Sequence, residues 1–420
     1  MMHNQPPYAP SNPDSKAAWG NVVLAALLML ATLPGRTQGL GLITEPLLAD
    51  LKLSRVTYAD INLWATLLGS AACLPAGWLI DRVGLRPATV GFLVLLAAVV
   101  WRMSTVAGGV MSVFVLILLT RALGQSALSV AGITAVGKSF GRRSGLAMGV
   151  FSLLLSVFFA AAFVWIGHVV GSQGWRPAWI HVAVGLVAVT LLSAVFLREP
   201  AQGGPAETEA DSTGMTLKAA LRTPAFWVFA GATALFGLVL SGTGLFNEAI
   251  LAERGFSQKT YHSFLAGSTL FALAGQMVCG WLTLKFAMPR MLAVSMFLYA
   301  GGIAMLPLLR TMTHLWIFAA VFGVATGFIT VLFFAVWGQA YGRAHLGRIQ
   351  GAAQMITVFA SALGPVLFAR SYQSAGSYAP LLYSVSPLVF LTGLIAWRTR
   401  LPGSTAADSP AFSQEKSSVS

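Results

Sequence analysis

Charge is what this 420-residue chain has least of: Asp, Glu, Lys and Arg together make up 9% of it, and only 13 residues are acidic. A soluble domain carries about 25% charged residues, so a water-facing surface of ordinary size cannot be assembled from this composition. With 56% hydrophobic residues, the chain reads as a protein that uses lipid as its solvent. Its two cysteines, Cys73 and Cys279, both lie inside apolar runs and read as small hydrophobes, which excludes a disulfide framework and a cysteine metal cage. The net charge of +13 comes without zinc-ligand spacing or a basic and aromatic module, so nucleic acid is excluded as a partner. No constellation of acid, base and nucleophile marks a span end and no metal-ligand cluster is present, so neither an enzyme nor a cofactor is expected. The remaining partners are the bilayer and a small-molecule solute.

What is present is a series of long apolar runs. A span needs about 20 mostly apolar residues at about 1.5 Å each, and that ruler places spans at 20–43, 57–80, 87–107, 110–137, 145–169, 177–197, 226–247, 259–284, 290–309, 314–340, 350–370 and 379–398. Irregular backbone and open sheet edges are excluded from hydrocarbon, so the segments are helices and the fold class is an all-α membrane protein with twelve transmembrane helices. Residues 1–18 are polar and Pro-rich, lack the basic start and cleavage site of a signal peptide, and read as a tail. The stretch 199–224, with Glu199, Glu207, Glu209 and Asp211, reads as a linker between a six-helix bundle at 19–198 and a second at 225–400, followed by a tail at 401–420. With both termini in the cytoplasm, sixteen lysines and arginines lie on the inner face and eight on the outer. The positive-inside bias therefore predicts a multi-pass protein of the cell membrane, plasma or inner, in that orientation. A functional monomer is expected.

An internal repeat supports two halves independently. A shift of 203 positions lays 39–79 on 242–282 without a gap, so that Gly39, Gly41, Glu45, Thr57, Tyr58, Gly77, Trp78 and Leu79 each meet an identical residue. A weaker echo sets "GLAMG" (145–149) against "GRIQG" (347–351), each with two glycines four residues apart for close helix packing. Parallel six-span repeats with a cleft between them are a plan of secondary transporters.

Between the second and third spans lies "GWLIDRVGLRP" (77–87). Gly77 permits close helix approach, Asp81 can meet a helix N-terminus or a cation, and Arg82 and Arg86 lie at headgroup level. Here the chain resembles the major facilitator superfamily, whose loop at this place carries Gly-x-Leu-x-Asp-Arg-x-Gly-x-Arg, matched by Gly77, Leu79, Asp81, Arg82, Gly84 and Arg86. The resemblance implies the major facilitator fold and a gating role for these residues, a latch and not a solute site. The second copy, "GWLTLKFAMPR" (280–290), has Leu284 where the aspartate belongs, so a latch from that side is weaker or different.

Two charges sit where lipid would forbid them. Arg121, in "TRALGQ" (120–125), lies about a dozen residues into the fourth span and resembles the family's fourth-span pattern together with Gly124 and Gln125. An unpaired arginine at the bilayer centre costs about 2.5–3.5 kcal/mol even on the lenient insertion scale, so it should face the bundle interior. In the first span, Pro34 and Gly35 weaken the helix beside Arg36, Thr37 and Gln38. Neither arginine has a repeat mate: the shift sends Arg36 to Val239 and Arg121 to Val324. Acidic residues sit only near span ends, Glu45, Asp60 and Glu248 among them, so the sequence predicts two guanidiniums in an open cleft without a counter-ion. Such a pair can grip a carboxylate bidentately. Asn62 and Trp64, Trp165, Asn247 and Gln276 are further candidates for lining the cleft, against the plainer reading as packing groups or interfacial anchors.

Three phrases, "KSFGRRSGLAMGV" (138–150), "GWRPAW" (174–179) and "TLKAALRTPAFWVFA" (216–230), resemble the monocarboxylate and oxalate/formate porter branch. The eighth span departs from that branch, because it lacks its acidic and basic residues. The expected function is alternating-access transport of a small organic anion, a carboxylate. Its alternatives are transport of a neutral or amphiphilic solute, or a transporter-fold sensor, for which the short tails offer no signalling domain.

Overall fold

Each long apolar run closes its backbone hydrogen bonds on itself, as hydrocarbon demands. In the computed structural model, which describes residues 16–140, 144–198 and 214–402, there is no strand among the described residues. Twelve helical segments are long and apolar enough to cross a membrane: spans 1 to 6 are Ala18–Gly35, Thr57–Val83, Leu85–Ser104, Val110–Phe140, Gly145–Gln173 and Trp175–Phe196. Spans 7 to 12 are Pro224–Glu253, Ser263–Leu282, Met288–Leu308, Met312–Tyr341, Leu346–Ala375 and Ala379–Arg398. The expected tails (1–18, 401–420) and linker (199–224) lie largely outside the described residues, as do Arg142, Arg143 and the side chain of Glu45.

The sequence repeat is a repeat of contacts. Ser54 caps span 2 by accepting from the Thr57 amide at 3.0 Å, and Ser257 caps the helix of span 8 by accepting from Thr260 at 3.3 Å. Either hydroxyl satisfies an amide that the first turn leaves unpaired. At the other ends of the same two spans, Arg82 lies 4.9 Å from the Trp78 ring and Lys285 lies 3.9 Å from the Trp281 ring. All four residues are exchanged by the 203-residue shift.

The two halves meet through glycine. A Cβ on Gly77 of span 2 would collide with the carbonyl of Gly347 on span 11, and one on Gly351 would collide with that of Cys73. Across the molecule, a Cβ on Gly149 of span 5 would lie 3.2 Å from the Cα of Gly280 on span 8, while one on Gly145 would strike Thr283. The pairs Gly77 with Gly347 and Gly280 with Gly145 and Gly149 are therefore the same contact made twice, each half offering the other its repeat-related surface. Phe151 of span 5 meets Phe334 of span 10 edge-on at 5.4 Å nearby. These contacts all lie toward the end of the spans that carries Asp81.

At the opposite end, Arg176 ties one half together internally. It donates to Asp50 at 2.8 Å and to the carbonyls of Ser104 and Val106 at 2.8 and 2.7 Å, while Trp175 donates to Asp50 at 3.0 Å. Replacing Gly77 by Val should cost about 1–3 kcal/mol through overpacking against Gly347, read as a lower thermal midpoint of the purified protein. Gly91→Val, at a position with open space around the new Cβ, should leave the midpoint unchanged.

Candidate functional site

Span 1 does not cross as one helix. Pro34 has no N–H to give, and the α-helix ending at Ala31 tightens into a 3-10 turn over Leu33–Gly35 before a new helix, Thr37–Gly41, begins. Arg36 is the extended residue between them, at φ −97° and ψ 150°. Facing this break, span 4 widens into a π-helix over Arg121–Leu128. The two irregular stretches touch: a Cβ on Gly35 would run into the Thr120 carbonyl and come within 2.8 Å of the Gln125 nitrogen, and one on Gly124 would lie 3.3 Å from the Thr32 carbonyl. Wide and tight turns are where helical backbone departs from its regular ladder, and π segments recur at functional sites.

The arginines are set into this junction and brace it reciprocally. Arg121, on span 4, donates through Nη1 to Thr37 at 3.1 Å and to Gln125 at 2.9 Å, and through Nη2 to Asn62 of span 2 at 2.9 Å. Arg36, beside span 1, donates through Nε to Thr32 at 2.6 Å and through Nη2 to Ser129 of span 4 at 3.2 Å. The Arg36 guanidinium also lies 5.7 Å from the Phe159 ring of span 5, a position that cation–π attraction favours. No described carboxylate pairs with either arginine. A guanidinium has five N–H groups; three of those on Arg121 are engaged, and its Nε has no partner.

The structure departs from the sequence expectation in one respect. Arg121 is not laid open in a cleft; the residue is 2% exposed, because Thr37, Asn62 and Gln125 close around it. Thr37 and Gln38 are exposed, so open space begins on their side of the cluster. Ser129, Thr32 and Phe159, which complete the surroundings of Arg36, were not singled out from sequence. Ser129 lies two helical turns beyond Arg121, and only the reach of Arg36 across to span 4 reveals it.

The remaining candidates divide. Asn62 and Gln125 join the cluster. Trp64 does not: two positions after Asn62 it points about 200° away around the helix, and it is exposed in a groove with Leu68, Met111 and Phe114. Trp165 lies beside His181 of span 6, with ring centroids 5.7 Å apart, and is separate from the arginine cluster. Asn247 of span 7 and Gln276 of span 8 belong to the other half, and each holds a buried side-chain oxygen without a partner.

At the far end of span 2, Asp81 meets both a helix N-terminus and a cation. Its carboxylate accepts from the amides of Gly347 and Arg348 at 3.1 and 2.9 Å, at the start of span 11, and from Lys138 of span 4 at 3.2 Å. The side chain is 1% exposed, so a positive helix end and an ammonium hold an otherwise buried charge. Sequence places Lys138 on the inner face but does not pair it with Asp81, because 57 residues separate the two. Gly84 follows at φ +98°, where a side chain would be strained, and Arg86 donates to the Ala194 carbonyl of span 6.

The sequence profile of the Major Facilitator Superfamily matches residues 24–365 and 232–420. The chain belongs to the major facilitator superfamily. No curated protein matches it. Among solved structures, the human organic anion transporter MFSD10 (TETRAN) superimposes with a TM-score of 0.69 at 16% identity, covering 93% of this chain and all of that one. The transporter FucP in its outward conformation gives 0.62 at 16% identity, covering 90% and 97%. A variant of the E. coli fucose:proton symporter FucP gives 0.65 at 15% identity over the same shares. These likenesses show the fold.

Membership in the superfamily makes this a membrane transporter of a small solute and not an enzyme. The contacts around Asp81 can be tested directly. Asp81→Asn should cost about 1.5–3 kcal/mol, the range for hydrogen bonds to a charged group, measured by thermal unfolding of the purified protein. Lys138→Met added to Asp81→Asn should cost less than it does alone, because the two mutations remove one shared interaction.

Proposed function

We propose that this facilitator carries a small organic anion, most simply a carboxylate, by rocking its two halves about a central site to which the first half brings Arg36 and Arg121. The observation that carries the reading is the Arg36 and Arg121 pair, whose hydrogen-bond partners are all uncharged. Two positive charges in a low-dielectric interior without a protein anion attract one from outside, and the Nε–H of Arg121, buried and unpartnered here, becomes a directional donor to it once Thr37, Asn62 and Gln125 give way. Thr37, Gln38, Asn62 and Gln125 would complete its recognition. The likeness to an organic anion transporter accords with this reading, although at 16% identity it speaks for fold alone. The porter branch of monocarboxylate and oxalate/formate type is the finer assignment, with the Asp81 end cytoplasmic in the cell membrane and the monomer as the working unit.

Asp81 acts in this proposal as the latch of the cytoplasmic side. It caps span 11 across the gap between halves, so the bond must break before that side opens. Arg82, Arg86, Gly77 and Gly84 position the end of span 2 for it.

One observation favours a second reading. Arg121 is wrapped by three neutral partners and nearly inaccessible, as expected if it braces spans 1, 2 and 4 in a carrier of neutral or amphiphilic solutes. Solute counterflow in proteoliposomes against a panel of carboxylates, sugars and amphiphiles decides between them. Carboxylate exchange should be present in the wild type and abolished in Arg121→Gln, with membrane insertion retained. Carboxylate exchange at the wild-type rate in Arg121→Gln would remove Arg121 from the mechanism, and exchange confined to uncharged solutes would overturn the anion reading and establish the second.

A further inference from the structure

Away from the arginine junction, the two halves also differ on a face turned to lipid. On span 2, Asp60, Trp64 and Leu68 follow one another at four-residue spacing and so share one side of the helix. With Val110, Met111 and Phe114 at the start of span 4 they line a groove of about 440 Å³, within the ~300–1,000 Å³ range of small-ligand sites. Trp64, Leu68, Val110 and Met111 are exposed along it. The 203-residue shift lays Asp60 on Ser263, Trp64 on Gly267 and Val113 on Trp316. In the second half the Trp316 ring of span 10 packs onto Gly267 of span 8, where a Cβ would collide with it. That half fills the place with its own indole. The first half leaves a groove there and sets a carboxylate at the end of it away from Asp81.

Asp60 precedes Asp81 by 21 residues on the same span, about 30 Å at ~1.5 Å per residue, which is the thickness of the hydrocarbon core. It therefore stands at the headgroup boundary of the leaflet away from Asp81. Two other acids at this end, the repeat-related pair Asp50 and Glu253, have cations: Arg176 at 2.8 Å and Arg254 at 3.5 Å. Among the described residues Asp60 has none. A carboxylate at the edge of hydrocarbon calls for a positive partner. An occupant that satisfies both parts of the site has an apolar chain for the groove and a cation at its head.

We propose that this groove binds a phospholipid with a primary ammonium headgroup, phosphatidylethanolamine, from the leaflet away from Asp81. One acyl chain lies along Trp64, Leu68, Met111 and Phe114. The ammonium donates to the Asp60 carboxylate one helical turn from the Trp64 ring, whose face also attracts a cation. A primary ammonium has N–H groups to give a carboxylate and a choline has none, so phosphatidylcholine binds less well. Anionic phosphatidylglycerol is repelled. The site is separate from the arginine junction, because Trp64 points away from Asn62, and it holds whatever the cargo.

The test is lipid retention by the full chain. Protein purified from vesicles of equal parts phosphatidylethanolamine, phosphatidylcholine and phosphatidylglycerol is weighed by native mass spectrometry, and the bound lipid is identified. The wild type should retain phosphatidylethanolamine over the other two. Asp60→Asn should lower that retention about ten-fold, the size of one lost hydrogen bond to a charged group, and Asp60→Lys should shift the preference to phosphatidylglycerol. Asp60 is exposed, so neither change removes a packing contact, and an unchanged thermal midpoint checks the fold. If an Asp60 variant fails to fold, Met111→Trp puts an indole into the groove, as Trp316 does in the other half, and should lower phosphatidylethanolamine retention with Asp60 in place. Equal retention of phosphatidylethanolamine and phosphatidylcholine by the wild type overturns the proposal. So does phosphatidylethanolamine retention untouched by Asp60→Asn or by Met111→Trp, or a lipid-free dimer mass, which would assign the groove to a second copy of the chain.

Discussion

Two guanidiniums held in an apolar interior without a carboxylate govern the architecture of the first half. Hydrocarbon supplies no hydrogen bonds, so the protein must provide every acceptor these charges need. It does so with neutral oxygens drawn from three places: Thr32 and Thr37 beside the break in span 1, Asn62 on span 2, and Gln125 and Ser129 on span 4. Each hydrogen bond to a charged group is worth about 1.5–3 kcal/mol, which is of the size needed to offset an arginine at the bilayer centre. The backbone irregularities follow from the same demand. Only a span 1 interrupted at Leu33–Gly35 brings both Thr37 and Arg36 against span 4, and only glycine at 35 and 124 allows the approach.

The frame around that junction is twofold while its chemistry is one-sided. Caps, interfacial cation and tryptophan pairs, and the glycine contacts all recur in both halves. The arginines do not, since Val239 and Val324 stand at their repeat positions, nor does the latch, since Leu284 replaces its aspartate. In the proposed function, a symmetric frame with an asymmetric grip lets one half hold the cargo while the other moves past it. The same asymmetry sets the strength of closure: span 11 is held by a buried charge, span 8 by van der Waals contact of Gly280 and Thr283 with span 5.

Features written in periodic hydrophobicity or in glycine spacing were legible without coordinates. The twelve runs, the repeat and the Gly77 to Arg86 pattern are of that kind, because each depends on residue type at fixed separation. Arg121, Thr37, Gln125 and Asn62 could each be picked out as candidates from residue type and span position, but not that the last three close around Arg121. What was not legible depends on packing. No residue in "RALGQSAL" declares a π-helix, because helix subtype is decided by what presses on the turn. Lone aromatics carry no direction, so Trp64 and Trp165 could not be told from cleft-lining residues until the helix phase relative to Asn62 and the position of His181 were known. The near-complete burial of Arg121 follows from side chains of spans 1, 2 and 4 arriving together.

The three phrases that resemble the monocarboxylate and oxalate/formate branch bear on the identity of the cargo in an unexpected way. In "KSFGRRSGLAMGV", Lys138 bonds Asp81 and the glycines seat span 8. In "GWRPAW", Trp175 and Arg176 fasten the start of span 6 to the end of span 3 and to the helix Thr44–Leu51 between spans 1 and 2. In "TLKAALRTPAFWVFA", Thr216 and Thr223 are helix caps, and Thr223 also pairs with Tyr341 at 2.8 Å. The described residues named in each phrase have structural tasks away from Arg36 and Arg121, so each phrase would persist in a carrier of any solute built on the same frame. Resemblance in these stretches reports mainly how the helices within each half are fastened. Any information about the cargo has to reside in the few residues whose hydrogen-bonding capacity the protein does not consume, the free Nε of Arg121 foremost among them.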